Sequence, residues 1–155
     1  MTDCSECGNP CKGACLGTAI LLKEEKMTVD GRALWAGNTI FVFGSNLAGR
    51  HGAGAAKYAW SMYSAEHGVG EGPTGRAYAL PTKDKKLEPR PLADIERSVE
   101  TFLAYTYEHP ELEFFVTRVG CGLAGFDDAQ IAPFFLLSGR NVTLPDGWFE
   151  MALGA

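Results

Sequence analysis

The fold is decided by Thr39-Ile-Phe-Val-Phe43 and the stretch that follows it, Gly44-Ser-Asn-Leu-Ala-Gly-Arg-His-Gly-Ala-Gly-Ala-Ala56. The first five residues are β-branched or aromatic, which is the pattern of a short buried strand. The run then breaks into a loop where Gly49, Gly52 and Gly54 let the backbone come close to a ligand. The spacing beyond it predicts a helix from about Gly54 to Glu66, with Ala55, Ala59, Met62 and Tyr63 on its apolar face and Gly68 as its stop. A helix that starts on a glycine loop aims free N–H groups and a partial positive charge at one point, the arrangement of a phosphate cradle. No Gly-Lys-[Ser/Thr] follows, so this is not a Walker loop, and Gly52-x-Gly54 lacks the third glycine of a dinucleotide fingerprint. Taken alone, a glycine before a helix can also be only a tight turn.

Outward from this stretch, strand and helix signals alternate. Ala77-Tyr-Ala-Leu80 and Glu113-Phe-Phe-Val-Thr117 read as strands, and Asn141-Val-Thr-Leu144 as a last one. Lys26–Val29 and Arg32–Trp35 read as edge strands. Between them lies a long helix near Pro91–Tyr107, its stripe running through Leu92, Ile95, Val99, Phe102 and Leu103, with Pro91 suited to the first turn. A second glycine loop, Gly120-Cys-Gly-Leu-Ala-Gly125, opens a helix near Asp127–Leu137. The alternation predicts an α/β fold, a sheet with helices on both faces, some strands being parallel. In such sheets ligands sit at the carboxyl ends of the strands, where both glycine loops emerge. Two facing glycine turns could grip the two phosphates of a diphosphate.

The composition bounds the function. A chain of 155 residues fits one domain, and 46% hydrophobic content excludes disorder over its whole length. No run reaches the roughly 20 apolar residues of a membrane span. Leu16–Leu22 follows an acidic, Cys-rich start and is not a secretory signal, so a soluble, cytoplasmic protein with no membrane partner is expected. With 14 Lys and Arg against 19 Asp and Glu, there is no global attraction to phosphate. Lys83, Lys85, Lys86 and Arg90 form one local basic cluster, which either attracts a small anion or is a solvated loop.

Four cysteines, Cys4, Cys7, Cys11 and Cys15, fall within twelve residues. Their thiolates could surround one structural zinc, although the spacing is not that of a zinc ribbon. It matches neither common ferredoxin pattern, and a reduced tail is the plain alternative. The expected division is a Cys-rich segment over 1–18 and a domain over 19–155. No organic cofactor is expected.

Three stretches, in order, resemble the macro domain, the ADP-ribose-binding family, and within it the branch containing the terminal ADP-ribose protein glycohydrolase. Arg50-His-Gly-Ala-Gly-Ala-Ala-Lys57 is similar to that branch's R-x-G-A-G-x-A loop. Tyr78-Ala-Leu-Pro-Thr-Lys83 is similar to its strand ending in T-K, and Arg118-Val-Gly-Cys-Gly-Leu-Ala124 to its R-I-G-C-G-L-D. Phe43-Gly-Ser-Asn46 also resembles short phage-encoded and bacterial relatives. The likeness covers roughly Thr39 to Leu144; the Cys segment has no counterpart in it.

The resemblance implies a three-layer macro-domain-like mixed sheet that binds ADP-ribose, free or attached to protein or nucleic acid. It implies that Asn46 contacts the distal ribose and that Gly52, Ala53, Gly54 and Ala55 hold one phosphate through backbone N–H groups. Gly120, Cys121, Gly122, Leu123 and Ala124 would form the other side. It further implies that Lys83 attacks the anomeric carbon and forms a covalent adduct, which requires a partly neutral amine. Lys85 and Lys86 could supply the field that favours one.

One departure stands against hydrolysis: the branch's second catalytic group is an aspartate where this chain has Ala124. Removing one member of a cooperating pair removes most of the rate. Asp84, Asp127 and Asp128 are the candidate substitutes, while the last two are also natural helix caps. The alternative function is a non-enzymatic binder that sequesters an ADP-ribose-derived or cyclic nucleotide signal, as a phage protein could. A module docked through the Cys segment, with a vestigial pocket, is a third. His51 is a candidate acid-base group or phosphate contact, Cys121 a small filler or a nucleophile, and Trp60 a core residue. Trp148 either caps the sheet or faces the ligand.

Overall fold

A computed structural model describes the backbone of residues 26–29 and 32–35, and residues 38–154 in full. The chain divides into two compact units, Met1–Thr39 and Ile40–Ala155. In the first, strands β1 (Lys26–Val29) and β2 (Arg32–Trp35) pair antiparallel, with Lys26 opposite Trp35 and Val29 opposite Arg32. They were expected as edges of the main sheet; they form a two-stranded sheet of their own. The four N-terminal cysteines and the expected boundary after residue 18 lie outside the described residues.

The second unit is α/β. Its mixed sheet contains β3 (Thr39–Asn46), β4 (Gly72–Thr74), β5 (Ala77–Lys83), β6 (Glu113–Val116) and β7 (Val142–Thr143), in the order β4-β5-β3-β6-β7. β3 runs parallel to β5 and β6 parallel to β7, while the short edge strand β4 is antiparallel to β5. Four α-helices are described: α1 (Gly54–Met62), α2 (Leu92–Glu108), α3 (Asp128–Ile131) and α4 (Trp148–Ala152).

Alternation along the central strand divides the core. Val42 packs with Tyr78 and Leu80, with Ile95, Val99 and Phe102 of α2, and with Ile131, Phe135 and Trp148. Phe41 and Phe43 point the other way, as the two-residue period of a strand requires. Phe41 stacks on Tyr63 at 5.0 Å, just beyond α1, and Phe43 meets the His51 ring edge-on at 5.2 Å. β3 is therefore covered on both faces, which is why its sequence is a continuous apolar run.

Several expectations need correction. α1 stops at Met62, four residues early, and Gly68 lies in the loop beyond it. The buried face of α1 is Ala56 and Ala59, whereas Met62 and Trp60 are exposed; Trp60, expected in the core, is 47% exposed. The helix expected over Asp127–Leu137 is one α-helical turn followed by a 3-10 turn, Ala132–Phe135. Pro133 lacks the N–H that an α-helix would need there. β4 and α4 were not foreseen. Gly72-Pro73-Thr74 reads as a turn, and only an edge strand accepts its proline.

Gly49 and Gly68 approach closely, the Gly68 N–H donating to the Gly49 carbonyl at 2.8 Å. A Cβ on Gly49 would come within 2.5 Å of the Gly68 backbone, at a φ of +72°. Gly49→Ala is therefore expected to destabilise the chain by well over about 1 kcal/mol. Urea denaturation checks it, and a midpoint equal to wild type would contradict this account of the loop.

Candidate functional site

Parallel pairing brings the carboxyl ends of β3 and β5 together. Asn46 lies opposite Lys83 in the ladder, and the Leu47 N–H donates to the Lys83 carbonyl at 3.0 Å. The second glycine loop arrives at the same point. A Cβ built on Gly44 would lie 3.3 Å from the Gly120 nitrogen, 3.5 Å from Thr82 Oγ1 and 3.6 Å from the Val119 Cα. The ends of β3 and β5 and the segment after β6 thus meet in van der Waals contact.

Between the loops is a cavity of about 440 Å³, within the ~300–1,000 Å³ range of small-molecule sites. Its walls include Asn46, Gly52, Ala53, Gly54 and Ala55 from the first loop, Lys83 from the end of β5, and Gly120, Gly122, Leu123 and Ala124 from the second. Arg50, Arg118, Ser45, Thr82 and Leu87 also line it and were not read as site residues. The signal for the two arginines was there, since Arg50 lies within the first glycine loop and Arg118 two residues before the second. Arg50 and Lys83 are thus among the lining residues, with Arg118, whose guanidinium is paired with Asp128, and no carboxylate is among them, in a chain of formal charge -5. Leu87 and Leu123 are exposed at its walls and give it an apolar margin.

The first turn of α1 is uncapped. Ala53 occupies the cap position in extended conformation and offers no side-chain acceptor. The first helical bond of α1 is from the Lys57 N–H to the Ala53 carbonyl. The earlier N–H groups of the turn stand beside the cavity wall, where an anion could accept from them.

His51 and Cys121 do not line the cavity. His51 is 1% exposed, its ring stacked on His67 at 5.3 Å. Nε2 lies 2.9 Å from the Glu66 carbonyl, so this nitrogen carries the hydrogen and donates. Nδ1 has no hydrogen-bond partner among the described residues. Burial pushes the His51 pKa below its ordinary value, against the opposing pull of the Glu66 carbonyl, and favours the neutral ring. The residue is a buttress beneath the loop. Cys121 is half-buried, its Sγ 3.6 Å from the Val119 carbonyl. Burial, with the Asp128 carboxylate nearby, pushes the thiol up to about 12 and favours the neutral thiol over the thiolate.

The Asn46 amide clasps its own loop. Its Nδ2 donates to the Arg50 carbonyl at 2.8 Å, and its Oδ1 accepts from the Arg50 N–H at 3.0 Å. Arg90 ties β5 to α2, with Nη1 donating to the Pro81 carbonyl at 2.8 Å and to Ser98 Oγ at 3.0 Å. The basic cluster therefore splits: Lys83 faces the cavity, Lys85 and Lys86 are exposed, and Arg90 is a strut.

None of the candidate substitute aspartates lines the cavity. Asp84 Oδ1 accepts from the Lys86 and Glu88 N–H groups at 2.8 and 3.0 Å, and the Glu88 bond leads in holding the carboxyl below the usual range. Asp127 caps α3, its N–H donating to Gln130 Oε1 at 2.9 Å. Asp128 accepts from Arg118 Nε and Nη2 at 3.0 and 2.8 Å and from the Trp148 indole at 2.8 Å. Trp148 is thereby fixed as a buried core residue, 1% exposed.

Comparison with protein-family models, curated proteins and solved structures found no match. Among the described residues, no helix is long and apolar enough to cross a membrane, and no group of three or more His, Cys, Asp or Glu is placed to hold a metal ion.

The Arg118 hydrogen bond, more than any other contact, pulls the Asp128 carboxyl down to about 2. A carboxyl lowered on folding adds stability above its unfolded pKa, near 3.9, and that stability is lost as the pH falls toward the folded value. Asp128→Asn is therefore expected to melt at a lower temperature at pH 7 and to lose part of the acid decline between about pH 4 and 2. Melting curves across that range check it; parallel wild-type and variant profiles would show that this carboxylate is not responsible.

Proposed function

We propose that the cavity binds ADP-ribose or an ADP-ribose-containing ligand, on a fold of the three-layer macro-domain type. The observation that carries this reading is the meeting of the two glycine loops at Gly44 and Gly120, with an uncapped helix start on one side and the basic residues Arg50 and Lys83 lining the space between. A pyrophosphate matches that set: two adjacent anionic groups, main-chain donors from two loops and side-chain cations around them. Leu87 and Leu123 supply apolar surface for the rest of a nucleotide.

The glycines support the same reading. Gly54 and Gly120 have positive φ, +58° and +80°, so the backbone itself calls for glycine there. Gly52 and Gly122 do not: neither has positive φ, and a Cβ on either would meet nothing within 4 Å. Both line the cavity. What their missing side chains leave is room for a ligand to approach the backbone.

Binding without turnover is the better-supported activity. Hydrolysis through Lys83 needs a group to assist departure of the leaving group and to activate water, and the cavity wall has Ala124 at the expected place. The substitute aspartates are engaged elsewhere. The second reading, an ADP-ribosyl glycohydrolase, is favoured by one observation: Lys83 lines the cavity, and its ammonium has no ion-pair partner among the described residues. A structural zinc on Cys4, Cys7, Cys11 and Cys15 is proposed from thiolate spacing alone, and metal analysis of freshly purified, reduced protein tests it.

Calorimetry with ADP-ribose is expected to show saturable binding, and ligand at 100 times its dissociation constant should add about 2.7 kcal/mol of apparent stability. No heat at millimolar ligand would end this reading. Gly52→Ala and Gly122→Ala should melt with wild type yet bind at least about tenfold more weakly, each methyl filling the space of a ligand atom. Incubation with ADP-ribosylated substrates separates the two activities: turnover that Lys83→Ala abolishes would establish the enzyme, and binding without release of product the binder.

A further inference from the structure

We propose that the outer face of α1, beside the cavity, is a track for single-stranded nucleic acid with Trp60 as its stacking platform. Trp60 is large, aromatic and 47% exposed, and the core does not use it. Its ring is nevertheless held: it leans on His67 at 5.2 Å, and His67 stacks on the fully buried His51 at 5.3 Å. A backed, outward aromatic face is what an unpaired base stacks on, and it accepts any base because each has a π-face.

Charge selects the partner. From Ile40 to Ala65 the chain has no Asp or Glu, although 19 occur outside that run. Within it, Arg50 and Lys57 are exposed. Lys57 lies three residues before Trp60, which puts the two side by side on the helix surface. Arg50 lines the cavity and precedes His51, the residue at the foot of the aromatic stack. The acid-free run ends at Glu66, next to His67. Ala56, at the cavity wall, is four residues from Trp60, a rise of about 6 Å along the axis. A strand crossing this face toward the cavity therefore meets the aromatic ring of Trp60, then the Lys57 cation, then the mouth of the cavity. A protein partner would need a broader apolar patch than one ring set between Lys57 and Ser61.

The track does not depend on the identity of the cavity's ligand. If that ligand is ADP-ribose, the track makes a nucleic acid, rather than a protein, the macromolecule that carries it.

The test titrates the full chain into fluorescently labelled oligothymidylate and oligouridylate at low salt, followed by anisotropy. Wild type should bind both. Trp60→Ala should weaken binding roughly ten- to hundredfold, with Trp60→Phe recovering most of the loss. Lys57→Ala should reduce the slope of log affinity against log salt by about 0.7. Calorimetry with ADP-ribose on Trp60→Ala runs alongside and should match wild type, so the fate of the cavity reading is scored separately. No oligonucleotide binding by wild type at submillimolar protein, or equal binding by Trp60→Ala, would overturn the proposal.

Discussion

The constraint on which the site depends is the close contact at Gly44, where the end of β3 meets the backbone of Val119 and Gly120 and the hydroxyl of Thr82. A side chain there would push apart three segments that share one opening. With hydrogen as the side chain, the parallel β3–β5 ladder can run on to Asn46 and Lys83, and the two glycine loops end on opposite walls of one space. The cavity follows from sheet geometry: parallel strands discharge their loops at the same end, and the glycine sets how near those loops come.

Around that opening the polar groups are sorted by sign. The carboxylates closest in sequence to the loops are turned to structural work: Asp84 closes the turn after β5, Asp127 caps α3, and Asp128 binds Arg118 and the Trp148 indole. What remains along the cavity is basic, neutral polar (Ser45, Asn46 and Thr82) or main-chain, with no carboxylate. An acidic protein thereby presents a local surface fit for an anion, and net charge says nothing about it. The same sorting weighs against hydrolysis, because the carboxylates that could assist a leaving group are the ones that hold the walls.

Much of this could be read from the residues. The continuous apolar run of β3 announced a strand buried on both faces, and the stripe of α2 from Ile95 to Leu103 matched its buried side. Both glycine loops stood out because glycine and a following helix are local signals. What failed was decided by distant contacts. Trp60 was expected in the core because it is large and aromatic, but α1 buries only Ala56 and Ala59, small enough to lie against the sheet, and the indole has no place there. His51 sits in the loop's sequence but under the loop in space, because its backbone turns the ring toward Phe43. Asp128 looked like a cap and is instead a link between the second loop and α4, a pairing across 20 residues that no local pattern reports.

The two histidines help to hold the loop in its shape. Three glycines within Gly49–Gly54 make it entropically costly to order. Its restraints come from outside the segment. The Asn46 amide holds Arg50 at both backbone atoms, the His51 ring holds the Glu66 carbonyl, and the His51 N–H donates to His67 Nδ1 at 3.3 Å. That last bond requires a lone pair on His67 Nδ1, so the hydrogen of a neutral His67 lies on Nε2. The segment bearing His67 is thus part of the cradle's scaffold, and the aromatic stack that fixes Trp60 on the surface also fixes the loop against the sheet. The cavity wall and the outer face of α1 rest on one support.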